Sequence, residues 1–335
     1  MLFIDSLYIN NSGGLLLLQY LINELNDRQI DYILLADLRC KNRIDNVKKV
    51  NYLEASLLKR YYYYKKLGSD ITTVLCFGNI PPPIKMNANV YTYFHNINLL
   101  TLVEVKSFKR RALSWMKRNV FYFFKHNTDF WIVQTTNTAN QLKKHLHETN
   151  ERIKILPFYN LPAKLTNLKN TKHGDDYVYI ANYTPSKGHE ALIEAWEILH
   201  KRGIDKTLHL TIDDSHSLLL QKMLTAIQQG AKIKNHGFIP FNSVIDLYRL
   251  SKAIIYPSYN ESLGLGIIEA LSAGCDLIGS DLPFIHAVCK PSEVFCPYQA
   301  ESIADAVMRY ENNCSQKSEL LIENKINDII SLLSD

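Results

Sequence analysis

The chain has 335 residues, of which 47% are hydrophobic and 21% charged; this is long enough for two α/β domains and too apolar for global disorder. Its formal net charge of +5 falls well short of a dedicated nucleic-acid binder and suits anionic small molecules or lipid headgroups instead. The six cysteines, Cys40, Cys76, Cys275, Cys289, Cys296 and Cys314, form no C-x-x-C pair, so neither a zinc site nor a disulfide framework is indicated and a reducing cytoplasm is the expected compartment.

The opening Met1-Leu2-Phe3-Ile4-Asp5 lacks the basic start and apolar core of a signal peptide and reads as a first strand. No apolar run approaches the roughly 18 residues that a membrane span needs; the stretch from Gly14 to Ile22 is too short and contains Gln19. Any membrane contact is therefore expected to be peripheral. Short apolar runs alternate with helical-period stretches, the pattern of βα units on parallel sheets. Strands are expected at Phe3-Ile4, Tyr32–Leu35, Thr73–Phe77, Val90–Phe94, Phe130–Val133 and Ile153–Leu156. The polar, aperiodic stretch from Pro157 to Gly174 reads as a linker. The rhythm then restarts, with strands at Tyr177–Ala181, Leu208–Ile212, Ala253–Tyr256 and Asp276–Gly279 and helices from near Lys187, Ser217, Asn242 and Gly266. The expected division is a domain at 1–160, a linker at 161–174, a second domain at 175–311, and a helical segment at 312–335 that can pack back on the first domain.

Chemistry concentrates in Tyr256 to Asp281, YPSYNESLGLGIIEALSAGCDLIGSD, which reads as a strand, a glycine-bearing loop, a helix and a strand. Gly264 and Gly266 allow close backbone approach, and the helix start offers unpaired N–H groups and a positive dipole end, a setting for a diphosphate. Glu261 and Glu269 lie eight positions apart, in loop and helix. A carboxylate accepts hydrogen bonds from vicinal hydroxyls, so one can hold a hexose and the other a ribose. On spacing alone, a solvated loop glutamate and a glutamate favouring the helix start fit equally well.

This segment resembles the signature of family 4 glycosyltransferases, P-S-x-x-E-x-x-G-L-x-x-x-E-A-L-A-x-G, and other stretches are similar to the same family in the expected order. Tyr177–Trp196, YVYIANYTPSKGHEALIEAW, is similar to the family's strand, basic loop and helix, in which a lysine before glycine grips the donor diphosphate; Lys187-Gly188 stands there. An ammonium at a helix start adds a point charge to the dipole. Asn182 takes the place of the family's arginine five residues earlier, and LHLTIDDS at Leu208–Ser215 lacks the family's glycine pair, so Asp213 and Asp214 receive no role. His236-Gly237-Phe238-Ile239-Pro240 resembles the strand-turn that lies against the nucleotide base. Phe238 can stack there, or be a core phenylalanine after a turn glycine. Ser12-Gly13-Gly14 resembles the glycine loop near donor phosphate and acceptor, although a tight strand-to-helix turn explains the pair equally. His95 ends a strand at a crevice position, where the family often has a histidine near the transferred sugar; a lone histidine also serves structurally.

The resemblance implies a GT-B fold: α/β, two facing Rossmann-like domains with parallel sheets and an interdomain cleft, the donor mainly on the second domain and the acceptor mainly on the first. It implies retaining transfer of a sugar from a nucleotide-sugar to a glycan or lipid-linked glycan in bacterial O-antigen or capsule synthesis. Glu261, His95 and Lys187 are then the catalytic residues. Gly13, Gly14, Asn182, Gly237, Phe238, Ser262, Leu263, Gly264, Leu265 and Glu269 contact the donor. No Asp-x-Asp triplet occurs, and no metal or cofactor is expected. Val103–His126 combines Lys106, Lys109, Arg110, Arg111, Lys117, Arg118 and Lys125 with Trp115, Phe121 and Phe124, which fits either an anionic membrane surface or a core helix with a charged outer face. Tyr61–Tyr64, flanked by Lys59, Arg60, Lys65 and Lys66, can extend that surface or an acceptor groove. The expected location is cytoplasmic, at the inner face of the plasma membrane. The competing readings are a nucleotide-sugar epimerase of the same fold and a catalytically silent partner subunit.

Overall fold

The computed structural model describes residues 1–10, 12–100, 108–171, 173–312 and 316–334. They form two compact units, Met1–Asn160 with Glu323–Asp335, and Leu161–Ile322.

Unit 1 is built on the strands β1 (Leu2–Ser6), β2 (Tyr32–Asp37), β3 (Val50–Leu53), β4 (Thr73–Cys76), β5 (Asn89–Phe94), β6 (Phe130–Val133) and β7 (Ile153–Ile155). They pair in parallel in the order β3-β2-β1-β4-β5-β6-β7. β1 and β4 are buried at every residue, as central strands of a sheet covered on both faces must be, and so they read as continuous apolar runs. The connecting helices include α1 (Ser12–Asp27), α2 (Leu57–Lys65), α3 (Phe108–Phe124) and α4 (Thr136–Leu146). Ser56 caps α2 by accepting the Lys59 N–H at 3.4 Å, and Thr135 caps α4 by accepting that of Thr138 at 3.2 Å, each satisfying an N–H that the helix itself leaves unpaired.

Unit 2 repeats the plan with α5 (Ala163–Thr166), β8 (Asp176–Tyr179), α6 (His189–Lys201), β9 (Leu208–Leu210), α7 (Ser217–Gln228), β10 (Ile233–Asn235), α8 (Phe241–Leu250), β11 (Ser251–Tyr256), α9 (Leu265–Ala273), β12 (Asp276–Ser280), α10 (Pro283–His286), β13 (Cys289–Lys290), β14 (Glu293–Phe295), α11 (Ala300–Asn312) and β15 (Glu319–Leu320). Six strands pair in parallel in the order β10-β9-β8-β11-β12-β14, and β13 pairs antiparallel with β15. Residues 161–174, aperiodic in sequence, carry α5 and a 3-10 turn that pack on α9 within this unit. The last helix, α12 (Ile326–Ser334), packs on α1 and β4 of unit 1. Its buried Ile326, Ile329, Ile330 and Leu333 recur at the spacing of one helix face.

Each sheet reverses its strand order once, between β1 and β4 and between β8 and β11. In such sheets the loops leaving the strand ends on either side of that reversal diverge and open a crevice. Among the described residues no helix is long and apolar enough to cross a membrane.

One buried network braces the crevice of unit 1. Asp5 accepts from Arg60 Nε and from the Tyr64 hydroxyl, both at 2.7 Å, while the guanidinium also donates to the Pro81 and Ile80 carbonyls at 2.9 and 2.8 Å. Arg60 and Tyr64 are therefore interior and contribute nothing to the outer surface that the tyrosine run suggested. Burial, the largest single effect, would by itself discharge Arg60, but the Asp5 carboxylate together with Tyr64, Cys76 and Tyr8 outweighs it and holds the guanidinium charged.

Candidate active site

In unit 2 the loops leaving the two strands at the reversal bring Lys187 and Glu261 together. The chain leaves β8 through Asn182–Gly188 and leaves β11 through Pro257–Gly264. Gly188 joins these exits: it has φ +67°, and a side chain there would collide with the Pro257 carbonyl oxygen. Only glycine meets both demands without strain. Tyr179 ties the same two loops from below, donating to the Lys187 carbonyl at 3.0 Å and lying 3.0 Å from Ser258 Oγ, and the Tyr259 N–H donates to the Ser186 carbonyl at 2.8 Å. Ser280 on β12 donates to the Tyr256 and Ser258 carbonyls at 3.0 and 2.8 Å.

The result is an ion pair between the Lys187 ammonium and the Glu261 carboxylate. The Tyr256 hydroxyl also donates to Glu261 at 3.3 Å, and the ammonium stands 6.0 Å from the Tyr256 ring centre. Lys187 lies at the start of α6 and Glu261 shortly before α9. Both helices thus present their unpaired N–H groups near a charge pair that is still partly open to solvent. An anion placed there would compete for Lys187 and release Glu261 to accept hydrogen bonds from a neutral ligand.

Glu269 sits in the second turn of α9 and accepts from the Tyr248 hydroxyl at 3.2 Å. Burial pushes its carboxyl up to about 7, against the pull of that hydrogen bond. Gly264 starts α9 with φ +75°, Leu263 is buried, and Leu265 is the first helical residue; Ser262 lies in the same loop. Asn182 is exposed. Gly237 has φ +65°, and Phe238 after it is 79% exposed, so it is not a core residue.

In unit 1 the glycine pair lies inside the first turn of α1 rather than in the loop before it. Neither glycine has positive φ, so the requirement is space: a Cβ on Gly14 would stand 3.2 Å from His95 Cε1. His95 is fixed by Asn79, whose Oδ1 accepts the His95 N–H at 2.7 Å, and its Nε2 lies 3.2 Å from both Asn79 Nδ2 and the Phe77 carbonyl. Burial lowers the imidazole to about 4, so the ring is neutral at physiological pH. It offers one N–H and one lone pair. Sequence reasoning missed Asn79, Tyr179, Ser258 and Ser280. Each lies in or beside an apolar strand run and acts only on residues distant in sequence, so no local pattern marks it.

The two parallel sheets with paired strand-end loops define the GT-B class of glycosyltransferase folds. Sucrose-phosphate synthase from Thermosynechococcus elongatus superposes with a TM-score of 0.69 at 16% identity over 93% of this chain and 90% of that one. WaaG, a glycosyltransferase involved in lipopolysaccharide biosynthesis, gives 0.64 at 13% over 93% and 91%. Within that class, residues 166–328 match the family described as Glycosyl transferases group 1. Among curated relatives, the UDP-N-acetylglucosamine–peptide N-acetylglucosaminyltransferase GtfA subunit of Limosilactobacillus reuteri is 26% identical over 49% of this chain and 32% of its own length. The O-antigen chain mannosyltransferase RfbU of Salmonella typhimurium is 27% identical over 29% of this chain and 31% of its own. The chain thus matches about a third of the length of these relatives.

Proposed function

We propose that the protein is a retaining glycosyltransferase of the family 4 type, which moves a sugar from a nucleotide-sugar donor to a glycan acceptor in bacterial surface-polysaccharide synthesis. The observation that carries this reading is the Lys187–Glu261 pair, which joins the exits of the two strands at the order reversal of unit 2. The donor diphosphate takes over Lys187 and the N–H groups that open α6 and α9. Glu261, released, orients the sugar hydroxyls, and Glu269 holds the ribose. Gly237 and Phe238 face the base, with the exposed ring available for stacking. Gly13, Gly14 and His95 serve the reacting end, and Asn182 stands beside the phosphate without adding charge. As the glycosidic bond breaks, negative charge grows on the leaving diphosphate, where Lys187 and the two helix starts stabilise it. The O-antigen and lipopolysaccharide roles of RfbU and WaaG support an envelope glycan as acceptor.

We also propose that the acceptor is lipid-linked and that the enzyme works at the inner face of an anionic membrane. Residues 103–107 of the basic-aromatic segment 103–126 lie outside the described residues. The later part of α3 exposes Trp115 and Phe123 on the helix that carries Lys117 and Arg118, a composition suited to an anionic interface.

The test is a thermal-shift screen with UDP, GDP, ADP, CMP and UDP-sugars, since a ligand that binds only the native state raises its melting temperature. A shift with one nucleotide that is lost in Glu269→Ala supports the donor site and names the base. No shift with any of them overturns the reading in favour of a silent subunit, and donor turnover without acceptor would identify an epimerase.

A further inference from the structure

Each carboxylate of the Glu261 and Glu269 pair is held by a buried tyrosine. Tyr256 donates to Glu261 Oε1 at 3.3 Å and Tyr248 to Glu269 Oε2 at 3.2 Å. Tyr248 lies in α8, is fully buried, and has Glu269 as the one acceptor of its hydroxyl among the described residues. The backbone that carries it is fixed as well: Cys275 Sγ donates to the Tyr248 carbonyl at 3.3 Å, and His173 Nδ1 lies 3.0 Å from the same oxygen. A buried phenol without an acceptor is costly, so hydroxyl and carboxylate hold each other in place.

Glu269 keeps its other oxygen in reserve. Oε1 makes no hydrogen bond among the described residues, and the residue is only partly buried, so a ligand can reach it. An ionised carboxylate accepts from both hydroxyls of a vicinal diol, whereas the neutral acid has an O–H of its own to place. Protonation therefore decides what Glu269 can bind. Burial pushes its carboxyl up to about 7, and the Tyr248 hydroxyl pulls the other way. The elements packed against α9 also carry Lys164, Lys169, the Asp246–Arg249 pair, Lys252, Asp276 and Glu319, and none of these moves it. The nearby Tyr256 hydroxyl and Cys275 thiol are kept neutral by burial.

We infer that Tyr248 is a positioning residue for nucleoside recognition: its hydroxyl orients the Glu269 carboxylate through Oε2 and leaves Oε1 to accept the vicinal hydroxyls of a ribose. The inference rests on the glycosyltransferase reading for the ribose and on the contact between α8 and α9 for the tyrosine. At neutral pH the wild-type carboxyl is close to half ionised. Without the hydroxyl, burial acts unopposed and the neutral acid prevails. Nucleotide affinity therefore rises with pH in the wild type, and Tyr248→Phe moves that rise to higher pH.

The experiment is titration calorimetry of the full chain with UDP, GDP and ADP from about pH 7 to about pH 9, above the last phosphate ionisation at about pH 6. The dideoxy form of whichever nucleotide binds, which lacks both ribose hydroxyls, is run beside it. At about pH 7 Tyr248→Phe is expected to bind about fivefold more weakly than the wild type, since a rise of one pKa unit takes the ionised fraction from about a half to about a tenth. By about pH 9 most of that loss is recovered. The dideoxy nucleotide, and Glu269→Gln with the ribonucleotide, are expected to bind weakly at every pH. A loss in Tyr248→Phe that is equal at every pH overturns the inference as a merely structural effect. A flat affinity profile in the wild type, or a dideoxy nucleotide that follows the ribonucleotide, overturns it without recourse to the variant. Carbon-13 NMR of the ligand-free protein separates it from the reading it rests on, because the Glu269 carboxyl should titrate at higher pH in Tyr248→Phe than in the wild type. If nucleotides bind and the titration does not move, this inference alone falls; if it moves and no nucleotide binds, Tyr248 still positions the carboxylate and the glycosyltransferase reading falls.

Discussion

Lys187 and Glu261 neutralise each other in the free protein, which keeps two half-buried charges satisfied. On the proposed reading, removing either one has two consequences: transition-state stabilisation is lost, and the remaining charge is left without its partner. In steady-state assays Lys187→Ala is expected to lower kcat about 10²- to 10³-fold, the usual effect of deleting one contact to a developing charge; an unchanged kcat would remove Lys187 from the chemistry. Glu269 gives a pH signature. Its folded carboxyl lies at about 7 against 4.5 in the unfolded chain, so between those values the native state holds the proton that the unfolded state releases. Stability therefore falls as pH rises from about 4.5 to 7 and levels off above, by at most about 3 kcal/mol. Urea unfolding of the ligand-free protein against Glu269→Gln should show the variant gaining on the wild type across that window. Arg60→Ala strands Asp5 and two buried carbonyls, and a loss of about 3 to 5 kcal/mol is expected in the same assay.

At the scale of elements, glycines act through what they let approach. Gly188→Ala is expected to destabilise the protein by about 2 kcal/mol or more, since it adds a left-handed residue to a collision with the Pro257 carbonyl; chemical denaturation measures it. Gly14→Ala should behave differently. Alanine favours the first turn of α1 by up to about 1 kcal/mol, which offsets crowding of His95, so activity is expected to drop while the melting temperature hardly moves. Strands divide by position in the sheet. The central strands and the edge strand β7 were legible in sequence as apolar runs, whereas the other three edge strands, β3, β10 and β14, were not. Val50–Leu53 and Glu293–Phe295 are mostly half-buried, and Ile233–Asn235 has a single buried residue. An edge strand is paired on one side only and needs no continuous apolar face, so what makes it a strand is its neighbour.

At the scale of the molecule, α12 closes unit 1 from the far end of the chain. Lys325 N–H donates to the Pro157 carbonyl at 2.7 Å, Asn324 to that of Tyr159 at 2.7 Å, and four aliphatic side chains of α12 are buried. Each aliphatic side chain contributes about 1.5 to 3 kcal/mol when buried, so truncation before Glu323 is expected to lower the melting temperature sharply or leave the protein insoluble; a full-length-like transition would show α12 to be dispensable. The βα alternation, the two-part division and the Glu-x7-Glu segment were readable because strand burial, helix period and loop glycines are local properties of the chain. Tertiary structure alone decided that Lys187 meets Glu261, that Asn79 fixes His95, that Arg60 is interior, and that Leu58 and Met116 line one cavity. Each of these joins residues separated by many positions, and the partner that makes each arrangement favourable is supplied by strand order and packing rather than by neighbouring sequence.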